Sequence, residues 1–92
     1  MTNNKVFIEG FIEFGSETQI IIAIEEFSEV TKTLTKHLRG KTNLNDMAEE
    51  LAHAKIMIDQ MICLFNLEKQ VNQEYEKALN RLIKLLIESE DE

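Results

Sequence analysis

The sequence predicts an all-α protein: a bundle of about four helices, completed by oligomerisation. Three observations carry that expectation. The chain has 92 residues with no proline and only 3 glycines, which leaves little material for tight turns between short strands. Apolar residues recur three and four apart through most of its length, the period of a helix face. Hydrophobic residues make up 43%, enough for a packed core and too many for a disordered acidic tail. The length suits one small domain, residues 1–92, ending in an acidic tail at 88–92 that is expected to fray. A core of that size leaves much surface wet, and association of copies is the usual remedy.

The first helix is expected at about residues 4–14. Phe7, Ile8, Phe11 and Phe14 recur at helical spacing, and Gly15 suits a left-handed stop. Val6, Phe7 and Ile8 also fit an extended segment. The second helix is expected at about 16–38. Ser16 is a candidate N-cap, with Gln19 three residues on as in a capping box. On a helical wheel, Ile20, Ala23, Phe27, Val30 and Leu34 fall on one arc beside Glu26, with Ile22, Glu25 and Glu29 on its other side. Glu26 and Glu29 therefore border the apolar face instead of opposing it.

A break at 39–43, containing Gly40, separates the third helix, expected at about 44–65. Asn43 is its candidate N-cap, and Asp46 in the first turn complements the positive helix end. Leu51, Ala54, Ile58, Met61, Ile62 and Phe65 form a broad apolar face, and Ile56 and Cys63 carry apolar groups to the far side. A helix apolar on several sides is buried on several sides, which in so short a chain points to a partner subunit. Asn66 marks a softer break. The fourth helix is expected at about 67–87, where Val71, Tyr75, Ala78, Leu82 and Leu85 follow the four-three spacing of a helix packed along a neighbour.

Charge narrows the functional classes. The chain holds 17 acids and 10 bases, a net charge of -7, which disfavours nucleic acid as a partner because phosphate backbones demand a basic face. The single Cys63 excludes an internal disulfide and a cysteine zinc site and reads as a small buried hydrophobe in a reducing compartment. The apolar stretch near the N-terminus is broken by Glu9, Gly10 and Glu13, unlike a secretory signal. No apolar run approaches the roughly 18 residues of a spanning helix. A soluble, cytoplasmic protein with no membrane partner is the expectation.

The acids are not evenly spread. Four lie in the tail, and six form two clusters: Glu25, Glu26 and Glu29 on the second helix, and Asp46, Glu49 and Glu50, followed by His53, on the third. The remaining seven face ten bases, so the body outside the clusters is mildly basic. Like-charge neighbours three or four apart cost about 0.2–0.5 kcal/mol per pair in a helix. The short loop makes the two helices antiparallel neighbours, with both acidic stripes bordering apolar arcs. If those arcs pack, the carboxylates converge, and a divalent cation with oxygen ligands neutralises them. Solvated helix faces account for the same pattern, with Glu29 paired to Lys32 and His53 hydrogen-bonded to a nearby carboxylate.

Glu25-Glu26-x-x-Glu29 on one helix, then Glu50-x-x-His53 on the next, resembles the Glu-Glu-x-x-Glu and Glu-x-x-Asp signature of MazG-like nucleoside triphosphate pyrophosphohydrolases. The surroundings are similar too: 14–20 before the first half, and 49–52 with 56–60 in the second. The likeness covers about residues 6–85 and is to the short single-domain versions of phage and bacterial genomes. It implies an all-α, magnesium-dependent enzyme that hydrolyses an NTP or dNTP to the monophosphate and pyrophosphate. It also implies Glu26, Glu29 and Glu50 as metal ligands, with His53 where the motif has its final Asp. That replacement makes manganese an alternative to magnesium, since imidazole favours softer divalent ions. It equally opens an inactive relative that binds a nucleotide or a protein as a helical oligomer. Catalytic roles fall to Glu26 and to Glu25, the latter orienting water or taking its proton.

A polyphosphate also needs positive partners. Lys32 and Lys36 cluster toward the end of the second helix, while Arg81 on the fourth is placed to reach a neighbouring subunit's site. Gln19 offers amide hydrogen bonds to a base stacked near Phe11 or Phe14. Ordinary solubilising lysines and core aromatics account for these residues one by one. The expected partners are a nucleoside triphosphate and further copies of the chain, as a homodimer or homotetramer.

Overall fold

The computed structural model describes residues 2–90. They form four helices, α1 (Asn3–Phe14), α2 (Ser16–Leu38), α3 (Leu44–Leu64) and α4 (Glu68–Glu90), with no strand among the described residues. The all-α expectation is met, and Val6–Ile8 are helical. No helix among the described residues is long and apolar enough to cross a membrane.

The helix stops follow from backbone chemistry. Thr2 caps α1 by accepting from the Lys5 amide at 3.2 Å. Gly15 ends α1 with φ 90° and ψ 144°, its N–H donating to the Phe11 carbonyl at 2.9 Å. That region of backbone space is nearly closed to residues with a Cβ. Gly15 is also the N-cap of α2, so Ser16 is already helical and no side chain caps that end. This corrects the expected capping box: a one-residue corner leaves no room for Ser16 to sit outside the helix, and Gln19 turns inward and is buried.

The next two stops share one design. At the end of α2, Gly40 N–H donates to the His37 carbonyl and Lys41 N–H to the Lys36 carbonyl, with Gly40 at φ 72°. At the end of α3, Asn66 N–H donates to the Cys63 carbonyl and Leu67 N–H to the Ile62 carbonyl, with Asn66 at φ 55°. Both are Schellman closures, which satisfy otherwise orphaned carbonyls through a left-handed residue, here glycine and asparagine. Asn43 caps α3 as expected, its Oδ1 accepting from the Asn45 and Asp46 amides at 2.7 and 3.4 Å.

The principal contact is between α2 and α3, held by the short 39–43 loop. The Thr42 hydroxyl fastens that loop by donating to the Thr33 carbonyl at 3.1 Å. Ala23 and Ala54, both buried, give each helix a small residue at the contact, and Met57 fills space beside them. α1 lies across this pair and inserts Phe7. The anticipated α3 face is only partly used: Ala54 is buried and Met61 and Ile62 half-buried, but Leu51, Ile58 and Phe65 are exposed. Cys63 is half-buried, not fully enclosed. It borders a hollow of about 410 Å³ between α1 and the α3–α4 joint, together with Asn4, Phe7, Asp59, Asn66 and Asn72.

α4 behaves differently. It touches only α3 among the helices and buries none of its residues. The radius of gyration is accordingly 16.8 Å, against about 12 Å for a compact chain of this length. α4 continues through Glu90, three residues past the expected end of the fourth helix and into the acidic tail; 91 and 92 lie outside the described residues.

Candidate metal centre

The α2–α3 contact brings three side chains together. Glu26 sits midway along α2, at the edge of the face that buries Ala23. Glu50 and His53 lie three apart on α3, hence on one side of that helix. One ligand atom from each of Glu26, Glu50 and His53 falls within 4.8 Å of the others. Ligands about 2.1 Å from a divalent ion stand about 3 Å apart when adjacent and about 4.2 Å when opposite, so small side-chain rotations close this set around one ion.

The electrostatics of the cluster are unbalanced. Glu26 Oε2 and Glu50 Oε2 are buried and have no hydrogen-bond partner. His53 Nδ1 lies 3.4 Å from Glu26 Oε2, within ion-pair distance but without hydrogen-bond geometry. The side chains retain 28% exposure at Glu26 and 47% at His53, so the cluster opens to solvent on one side. On the other it meets an apolar wall: Ile22, Ile56 and Met57 line a shallow cavity of about 230 Å³ with Glu26 and His53. Buried carboxylate oxygens are normally paired, and a cation is one partner that these two could take. Two carboxylates and an imidazole suit manganese or another first-row divalent ion, and accept magnesium through the carboxylates.

The other candidate residues are placed elsewhere. Glu29 turns to Lys32, with Oε1 to Nζ at 3.6 Å on an exposed surface, and stands outside the cluster. Glu25 is exposed, as are Asp46 and Glu49. Gln19 is buried and lines a separate hollow with Val6, Glu13, Phe14 and Gln60. Phe14 is exposed there and Phe11 half-buried. Lys36 is exposed on α2. Arg81 is exposed on α4, which makes no contact with α2, so within one chain it is not brought to the cluster.

Two features escaped the sequence reading. The apolar wall includes Ile56 and Met57, three and four residues after His53, so helical spacing from the histidine would have found them. Gln60 has a buried, unpartnered Oε1, for which the sequence holds no local signal. No family model, curated protein or solved structure matches the chain.

Proposed function

We propose that this all-α protein is a divalent-metal-dependent hydrolase of nucleoside triphosphates, of the MazG-like kind, with Glu26, Glu50 and His53 as the residues that hold the ion. The observation that carries the metal is the pair of buried oxygens without hydrogen-bond partners, Glu26 Oε2 and Glu50 Oε2, on two residues that cluster with His53. The substrate class rests on the resemblance of 25–29 and 50–53 to the pyrophosphohydrolase motif. When bound, the ion neutralises phosphate charge and acidifies a bound water.

The chain's own residues supply the rest. Glu25, exposed beside Glu26, takes the proton of the attacking water. Lys32 and Lys36 meet the phosphates, and Lys32 is free to do so because an exposed pair such as Lys32–Glu29 is worth at most about 1 kcal/mol. Release from Lys32 would also return Glu29 to the ligand set. Gln19 reads the base, and Arg81 acts from a second copy. The α–β phosphoanhydride bond breaks, giving the monophosphate and pyrophosphate.

A second reading is an inactive relative that binds a nucleotide or a protein. It is favoured by His53 at the motif's Asp position and by Glu29 turned toward Lys32. Calorimetry with manganese and magnesium, on wild type and Glu50→Gln, tests the site, and pyrophosphate release from each NTP and dNTP tests the reaction. The proposal expects saturable binding at one ion per cluster, lost in Glu50→Gln, together with turnover. Ion binding without turnover of any nucleotide selects the second reading. Absence of binding by either ion removes the metal-dependent hydrolase and leaves the inactive relative or a solvated acidic face.

A further inference from the structure

We infer that Gln60 is a positioning residue: it orients the Gln19 amide so that the hollow they line takes a nucleobase by an exocyclic amino group, as in cytosine or adenine. The inference rests on the proposed nucleotide chemistry for its substrate, and it starts from the register of α2 and α3. Gln19 lies seven residues before Glu26 on α2, and Gln60 seven after His53 on α3. Seven residues are about two turns, roughly 10.5 Å, and return to nearly the same side of a helix. The short loop runs the two helices antiparallel, and Glu26 meets His53 at 3.4 Å, so both steps lead the same way along one seam. Gln19 and Gln60 accordingly line one hollow, of about 460 Å³, against α1. That volume is in the range of small-ligand pockets. A nucleotide held by its phosphates at Glu26 and His53 extends its base along the seam.

Both amides lack partners. Gln19 is only 8% exposed, and its side chain makes no hydrogen bond among the described residues. Gln60 Oε1 is buried and unpartnered. An amide buried in this way is costly until a neighbour or a ligand pairs with it. A carbonyl oxygen only accepts, and Gln19 is the donor that the facing helix brings to the same hollow. Turning the Gln19 N–H toward Gln60 Oε1 leaves Gln19 Oε1 for the hollow.

The rest of the lining points the same way. Glu9 and Glu13, four apart on α1, also line the hollow, and ionised carboxylates only accept. No Lys, Arg or His lines it. The hollow therefore presents acceptors, and the base edge that complements it carries donors. An exocyclic amino group brings two. The carbonyl that replaces it in uracil or hypoxanthine sets lone pairs against the carboxylates. Phe14, 64% exposed at the same hollow, offers its ring face to the base. Gly10 leaves the wall open, since a Cβ built there meets nothing within 4 Å.

The test needs neither metal nor turnover. Wild type is titrated with cytidine, uridine, adenosine and inosine, and the side-chain amide signals of Gln19 and Gln60 are followed in nitrogen-15 spectra. Cytidine and adenosine are expected to shift those signals saturably and to bind about tenfold more tightly than uridine and inosine, the scale of one hydrogen bond to a charged or buried acceptor. Gly10→Leu fills open space and suits a helix better than glycine. It is expected to abolish binding with its α-helical dichroism kept. Gln60→Met keeps the side chain's length without its amide, and is expected to bring the cytidine-to-uridine affinity ratio toward one. A merely structural role would weaken both nucleosides alike. Equal binding of all four nucleosides, no shift at either amide, binding that survives Gly10→Leu, or an unchanged ratio in folded Gln60→Met overturns the inference. Turnover of nucleoside triphosphates that ignores the amino group overturns it too and leaves the hydrolase standing. Selective nucleoside binding without turnover removes the hydrolase and supports the hollow.

Discussion

Met57 on α3 retains 6% exposure, while Leu82 on α4, one three-residue joint further along, retains 53%. Both helices carry apolar residues at three- and four-residue spacing. The difference lies in what each stripe meets. α3 lies against α2 and α1, joined to α2 by a short loop that folds it back. α4 leaves the Asn66 closure touching only α3, and its stripe stays exposed. Helical amphipathicity specifies that a face will be covered; the joints specify by what.

The packing of α1–α3 depends most on Phe7, the large buried side chain of α1. Phe7→Ala is expected to cost about 3–5 kcal/mol, read from the midpoint of chemical denaturation. A cost near zero would mean that α1 is as loosely held as α4. Gly15→Ala acts on the corner of the same region. Its added Cβ meets only Thr18 Oγ1 at 3.9 Å, so space is no obstacle, but φ 90° is. A loss of about 1–3 kcal/mol is expected from backbone strain alone, and a thermal melt showing no change would place the corner outside the cooperative unit. Asn66→Gly probes the joint between α3 and α4. Glycine accepts φ 55° without penalty, so stability should stay within about 0.5 kcal/mol of wild type. A larger loss would assign the Asn66 side chain a role at the joint beyond its backbone.

Much of the fold was legible because its punctuation is chemical. Gly15, Gly40 and Asn66 are the residues that tolerate a positive φ, and each ends a helix where the pattern breaks. Ser16 was misread for the same reason: a serine after a glycine looks like a cap, yet Gly15 serves both helices at once. In the candidate site, Glu26, Glu50 and His53 were legible because i,i+3 spacing and antiparallel pairing fix positions to within a turn. Glu29 was not, because its choice between the cluster and Lys32 is a rotamer decision, and spacing does not encode rotamers. The isolation of α4 within the chain was not legible either. Its stripe announces a neighbour but carries no mark of which chain the neighbour belongs to.

The Gly15 corner also sets where the chain can change length. Because one residue both ends α1 and begins α2, the two helices share a fixed rotational phase. An amino acid inserted between Phe7 and Gly15 would turn the earlier part of α1 by about 100° about its own axis, swinging Phe7 off the surface it fills. The 39–43 loop is tied differently: its ends close α2 and cap α3 separately, and the Thr42 hydroxyl links it to Thr33. A change of length should therefore be borne better in the 39–43 loop, which has several residues over which to re-close, than at 15, where one residue sets both helices.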